Sequence, residues 1–276
     1  MSLTTRATFA CGAILFTLYA PSTRAQNYPM QTPVPRSTDV PTLHAQAVRR
    51  EIHERFRIGL DAEARGTWSS AAAEFERTVA LNPPEPQGST ARYNLAIAYA
   101  NLGRNDDSAT QLRAAIALDP GFLAAMANLV AVDLRRGDLH GARIAADRFV
   151  NAAPDSARAL YSRGIVALQS GDAQTAASDF GRLLSHNPQY AVAHYDLGIA
   201  EVRLGRNDDA EREFVTALAL SPTYARARLS LGTVLLQRGD RSEARDAFDR
   251  AARDAAGDPA LENLAVAMRD AVSTTR

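Results

Sequence analysis

Leu102-Gly103-Arg104-Asn105-Asp106-Asp107 returns as Leu204-Gly205-Arg206-Asn207-Asp208-Asp209, three steps of 34 residues further along the chain. The same step separates Gly103, Gly137, Gly171, Gly205 and Gly239, and it separates Pro120, Pro154, Pro188 and Pro222. Gly66 and Pro83 stand 37 residues before Gly103 and Pro120, so an insertion of three residues around Pro86-Gln87-Gly88 accounts for both offsets. The chain therefore reads as six units, 52–85, 89–122, 123–156, 157–190, 191–224 and 225–258. A unit this short cannot bury an apolar face alone, so the units must stack.

Within a unit, the residue types predict two helices. Each spacer glycine can take the left-handed conformation that ends a helix. Asp138, Asp172 or Asp240 follows it in three units as an N-cap for the next helix, and Asn105 and Asn207 are expected to cap one residue later where arginine intervenes. The unit-ending proline stops the second helix, since it lacks an amide donor and restricts its predecessor. Small residues such as Gly198, Ala210 and Ala217 recur where helix backbones must approach, with Leu197 and Phe214 filling the space beside them.

These positions, Leu197-Gly198, Ala210, Phe214 and Pro222 in the fifth unit, resemble the tetratricopeptide repeat pattern. Leu231-Gly232, Ala244 and Phe248 repeat it in the sixth unit, Gly164, Ala176, Phe180 and Pro188 in the fourth, and Ile58-Gly59, Ala71, Phe75 and Pro83 in the first. The second unit varies it with Ser108 and Leu112, the third with Val130, Ala142 and Ala146. The resemblance implies an all-α fold, an α-solenoid of six helix-turn-helix tetratricopeptide repeats forming a right-handed superhelix. A C-terminal capping helix within 259–276 is expected to cover unit six through Leu261, Leu264, Ala265 and Met268.

Ahead of the repeats, Arg6, the apolar run Ala7 to Ala20 and the Thr23-Arg24-Ala25 stretch read as a signal peptide over 1–25. An uncleaved membrane anchor is the alternative, although a bilayer span takes about 20 residues. Residues 26–41 carry Pro29, Pro33, Pro35 and Pro41 and read as a disordered linker, with the first helix beginning near Thr42. The expected location is periplasmic or secreted, with no stable membrane insertion after signal cleavage. All basic residues are arginine, which points to a GC-rich, bacterial genome.

Charge and chemistry narrow the function. The 31 basic and 31 acidic residues cancel, leaving no field to attract nucleic acid. The single cysteine, Cys11, lies in the leader, so thiol chemistry has no place in the mature chain. His53-Glu54 lacks the second histidine of a zinc-protease helix, and no phosphate loop or nucleophile elbow occurs. Neither an enzyme, nor a cofactor, nor a metal site is expected. Asp133 and Glu201, at a position held elsewhere by Tyr99 and Leu235, flank Arg163 in the repeat order, and an ionic chain through the three is one reading; a solvated Arg163 is the other.

What remains is recognition of other proteins. In the family the chain resembles, ligands lie on the concave face, on side chains of each unit's first helix. Carried over, those positions are Tyr93, Asn94, Ile97, Asn128, Tyr161, Ile165, Tyr195 and Ile199, with Arg135, Arg158, Arg203 and Arg226 at the rims. The lysine and asparagine clamp of chaperone-binding members has no counterpart, and the asparagine ladder of relatives that thread glycosylation substrates stops after Asn94 and Asn128. The expected function is a non-enzymatic scaffold holding a peptide or helix of a partner; the alternative is an accessory subunit of an envelope enzyme or secretion complex.

Overall fold

A computed structural model describes residues 40–274 of the chain. The signal peptide expected at 1–25 and nearly all of the linker lie outside them. Thirteen helices, and no strand, make up the described residues. They are α1 (Val40–Ala64), α2 (Trp68–Ala80), α3 (Gln87–Asn101), α4 (Asn105–Leu118), α5 (Leu123–Arg135), α6 (Leu139–Ala152) and α7 (Ala157–Gln169), then α8 (Ala173–His186), α9 (Ala191–Arg203), α10 (Asn207–Leu220), α11 (Ala225–Arg238), α12 (Arg241–Asp254) and α13 (Pro259–Thr274). Two compact units divide the chain between Ala152 and Ala153, one holding α1 to α6 and the other α7 to α13. In each, odd and even helices form consecutive pairs, and each even helix also packs on the next odd one.

The turn inside each pair follows the chemistry of its glycine. Gly103 and Gly205, from the two copies of the opening hexapeptide, both have φ of +75°, and Gly66, Gly137, Gly171 and Gly239 also have positive φ. The amide after each glycine reaches back to the carbonyl five residues earlier, as in Arg206 N to Glu201 O and Asp138 N to Asp133 O, both 2.9 Å. This closure satisfies carbonyls that the helix end would leave without partners. Asp172 caps α8 by accepting from the Thr175 amide at 3.0 Å, and Asp138 accepts from Gly141 at 2.8 Å. The other expected caps are corrected: α4 and α10 start at Asn105 and Asn207 themselves, with Arg104 and Arg206 in the cap position and no side-chain cap bond. Asp240 holds its cap position without such a bond and instead pairs with Arg238.

Packing inside a pair rests on one close approach. A methyl group placed on Gly59, Gly164, Gly198 or Gly232 would lie 2.6, 2.6, 2.5 or 2.7 Å from the ring of Phe75, Phe180, Phe214 or Phe248, sixteen positions on. The glycine is thus the socket for the phenylalanine. In the two remaining pairs the same positions hold Ala96 with Leu112, and Val130 with Ala146, all fully buried. As the first residue grows the second shrinks, which keeps the filled volume nearly constant at native packing density.

Two boundaries differ from the sequence reading. α1 begins at Val40, inside the stretch taken as linker, because Pro41 falls in the first turn, where a missing amide donor costs nothing. α13 packs on α12 and α11, with Ala265 and Val272 buried and Met268 against the cluster of Leu235, Ala247 and Phe248. Leu264, expected on that face, is 50% exposed, since Ala265, Met268 and Val272 form one helical stripe and Leu264 falls beside it. Deleting residues 259–276 should uncover that cluster, lower the melting temperature and produce aggregates by size-exclusion chromatography. An unchanged melt and a monodisperse truncated chain would show that α13 covers nothing essential.

Candidate functional site

The side chains expected to face a partner start from the odd helices, so their surroundings decide what they can do. Tyr93, Tyr161 and Tyr195 are only 1%, 6% and 5% exposed, and Ile97, Ile165, Ile199, Asn94 and Asn128 are buried as well. This corrects the expectation that the tyrosines and isoleucines offer open rings and methyls. The reason is the next repeat. In the amino-terminal unit the Tyr93 ring packs against Phe122, with centroids 4.9 Å apart, and its hydroxyl accepts from Asn128 Nδ2 at 3.0 Å. In the carboxy-terminal unit Tyr161 meets Tyr190 at 5.6 Å and donates to Asp196 Oδ2 at 2.9 Å, and Tyr195 meets Tyr224 at 5.1 Å. Each tyrosine is thereby covered by an aromatic residue 29 positions on, at the cap of the following odd helix, and Tyr93 and Tyr161 are also tied to a polar residue 35 positions on.

The covering residues are the accessible ones. Tyr190 is 39% exposed, and Phe122 and Tyr224 are half-buried. A sequence cue marks them: Pro120-Gly121-Phe122, Pro188-Gln189-Tyr190 and Pro222-Thr223-Tyr224 place an aromatic residue two positions after the unit-ending proline. Of the expected rim arginines, Arg203 is exposed and donates to the Leu168 carbonyl, while Arg158 and Arg226 are half-exposed, with Arg226 4.0 Å from Asp258. Arg135, in the other unit, is exposed.

Buried charge is arranged pair by pair. Asp133 is gripped by Arg113 at 2.8 Å and Arg136 at 2.7 Å, Glu201 by Arg206 at 3.1 Å, and Arg163 forms a two-pronged bond with Asp179 at 2.7 Å. The ionic chain through Asp133, Arg163 and Glu201 is replaced by these separate pairs, because each acid finds an arginine on its own or an adjacent helix. A second periodic contact links residues 19 apart across a pair: Arg55 to Glu74, Arg92 to Gln111 and His194 to Glu213, at 3.2, 3.1 and 2.6 Å. These are framework contacts. Among the described residues no cluster of three or more histidine, cysteine or acidic side chains could hold a metal ion, and no helix is long and apolar enough to cross a membrane.

Asp196 sits apart from that pattern. Burial lifts its carboxyl from the usual range to about 7, against the lowering effect of the Tyr161 hydrogen bond. Burial also raises the phenols of Tyr161, Tyr190 and Tyr224, and the nearby Asp196 charge adds to each shift.

The helix pairs have solved counterparts. A tetratricopeptide repeat protein from Parabacteroides merdae superposes with a TM-score of 0.65 over 82% of this chain and 100% of that one, at 16% identity. YrrB, described as a tetratricopeptide repeat protein with an unusual peptide-binding site, gives 0.58 over 71% and 98% at 18% identity. A MamA fragment from Desulfovibrio magneticus gives 0.57 over 63% and 97% at 22% identity. Identities this low speak to the fold alone. No curated protein matches the chain. Tetratricopeptide repeat family models match residues 56–121, 129–191 and 195–259, and a second such model matches 167–216. The repeat that the glycine and proline spacing marks out is thus matched over more than two thirds of the length, and the chain belongs to the tetratricopeptide repeat family.

Proposed function

We propose that the chain is a non-enzymatic scaffold that holds a peptide or helix of another protein on the face carried by the odd helices of its carboxy-terminal unit. The observation that carries this reading is that Tyr190 and Arg203, at the two ends of α9, and Tyr224 and Arg226, at the start of α11, all reach the surface at least in part. Tyrosine and arginine are among the residue types most enriched at binding hot spots, and here the Tyr190 and Tyr224 rings rest on Tyr161 and Tyr195. The peptide-binding site in the description of YrrB supports peptide recognition as a use of this fold. The proposed location is outside the cytoplasm, on the strength of the apolar run Ala7 to Ala20 and the small residue Ala25. Sequencing the mature amino terminus should then give Gln26 or a near neighbour, and an intact Met1 in a soluble cytoplasmic fraction would refute it.

For the binding face, tagged protein should co-purify with its partner from native cells. Tyr190→Ala and Arg226→Ala should each weaken that complex by about 1 to 3 kcal/mol with helicity unchanged. Arg212→Ala, on the exposed side of α10, should have little effect. The reverse ranking would place the partner on the even helices.

A further inference from the structure

Four acids are buried among the described residues, and three of them, Asp133, Asp179 and Glu201, have arginine within 3.1 Å. Asp196 is the fourth, and its hydrogen-bond partner is the Tyr161 hydroxyl. An ionised carboxylate without a counter-charge is costly to bury. The basic groups around it are engaged elsewhere: on α7 and α8 Arg163 bonds Asp179, on α9 and α10 His194 bonds Glu213, Arg203 bonds the Leu168 carbonyl, and on α11 Arg228 bonds Asp254 and Arg226 faces Asp258. Arg158 lies one turn before Tyr161 and Glu201 just over one turn after Asp196. In place of a cation the carboxyl has tyrosine rings. Tyr161 and Tyr190 pack together, Tyr195 and Tyr224 pack together, and the Asp196 charge acts on Tyr190 and Tyr224 as well as on Tyr161. A buried carboxylate bonded to a phenol and flanked by further tyrosines lets a cation pair with the acid and stack on a ring at once.

Resting on the scaffold reading above, we propose that Asp196 with Tyr161, Tyr190, Tyr195 and Tyr224 forms a receptor for an arginine side chain of the partner polypeptide. A guanidinium suits it better than an ammonium ion, being planar, weakly hydrated and able to stack on a ring while its N–H fork meets a carboxylate. Tyr190, the exposed wall of the box, is the ring that must swing for the side chain to enter. The raised carboxyl gives the reading a sign. Below its folded value, near 7, the group holds a proton and offers no charge, so arginine binding should strengthen as pH rises from about 6 to about 8. Without ligand, the same raised value means that the folded chain binds more protons than the unfolded one above the ordinary aspartate range, so stability from this group falls as pH rises towards 7.

The test titrates the intact protein at pH 8 with the blocked pentapeptide Ser-Gly-Arg-Gly-Ser and with the same peptide carrying citrulline, which keeps the shape of arginine and removes its charge. The arginine peptide should bind at least about ten-fold more tightly. Asp196→Asn, which keeps the shape and an acceptor for Tyr161, should lose that preference and its pH dependence while being at least as stable as the parent at pH 8. Equal binding of the two peptides, no binding of either at millimolar concentration, or an undiminished preference in Asp196→Asn would overturn the proposal. Should Asp196→Asn fail to fold, the citrulline comparison on the unaltered protein still decides. Partner capture that depends on Tyr190, combined with equal binding of both peptides, would remove the arginine receptor and leave the scaffold standing.

Discussion

Phe214→Ala should destabilise the carboxy-terminal unit by about 3 to 5 kcal/mol, the usual loss for emptying a fully buried aromatic site. The informative variant is the next one. Adding Gly198→Val to Phe214→Ala should restore a large part of that loss, although Gly198→Val alone should cost about 1 to 3 kcal/mol or more by driving a side chain into the ring 2.5 Å from its Cβ. Val130 with Ala146 already fills the same two positions in the third pair, so the double variant copies a solution that the chain uses elsewhere. Chemical denaturation of the four proteins closes the cycle. Additive losses would show that the two positions do not share one volume.

Arg163→Leu should have a comparable effect for a different reason. Asp179 lies buried at the α7–α8 contact, held through both oxygens by the Arg163 guanidinium. Removing one member of a buried pair leaves the other charged and unsolvated, at a cost of about 3 to 5 kcal/mol. Arg163→Leu combined with Asp179→Leu should recover most of that loss, since a well-packed apolar pair is close to neutral in exchange for a buried ionic one. A single variant as stable as the parent in thermal denaturation would mean that Asp179 is hydrated.

The fold was legible because backbone needs repeat in the sequence. A left-handed helix end requires glycine and a helix stop favours proline, so their 34-residue spacing exposes the twelve helices of the six units with little ambiguity, and the apolar spacing after Pro259 adds α13. The size exchange between Gly198–Phe214 and Val130–Ala146 was half-visible: the departures in units two and three could be seen, but that each was compensated sixteen positions on shows only when the helices face each other. Charge pairing was harder to read. Asp133 takes Arg113 from the preceding helix, 20 positions back, and nothing in the immediate sequence of either residue marks the other.

The side chains expected to form the site start from the odd helices but lie deeper than the sequence suggested. Tyr161 and Tyr195 do belong to the odd helices, yet the fold spends them on packing against Tyr190 and Tyr224, so the accessible surface moves one layer outward. Asp196, in the register of Asn94 and Asn128 but beyond the point where the asparagine ladder stops, proves to be the hydrogen-bond partner of Tyr161. The contact joins residues 35 apart, one more than the period, because it runs from one repeat to the next.

The measurement that tests the central claim most directly is photo-crosslinking in intact cells, with a photoreactive residue placed at Tyr190 or, on the exposed side of α10, at Val215, which is 49% exposed. The account predicts that position 190 captures one defined protein, identified by mass spectrometry, and that position 215 does not. Capture from position 215 with none from position 190 would contradict it.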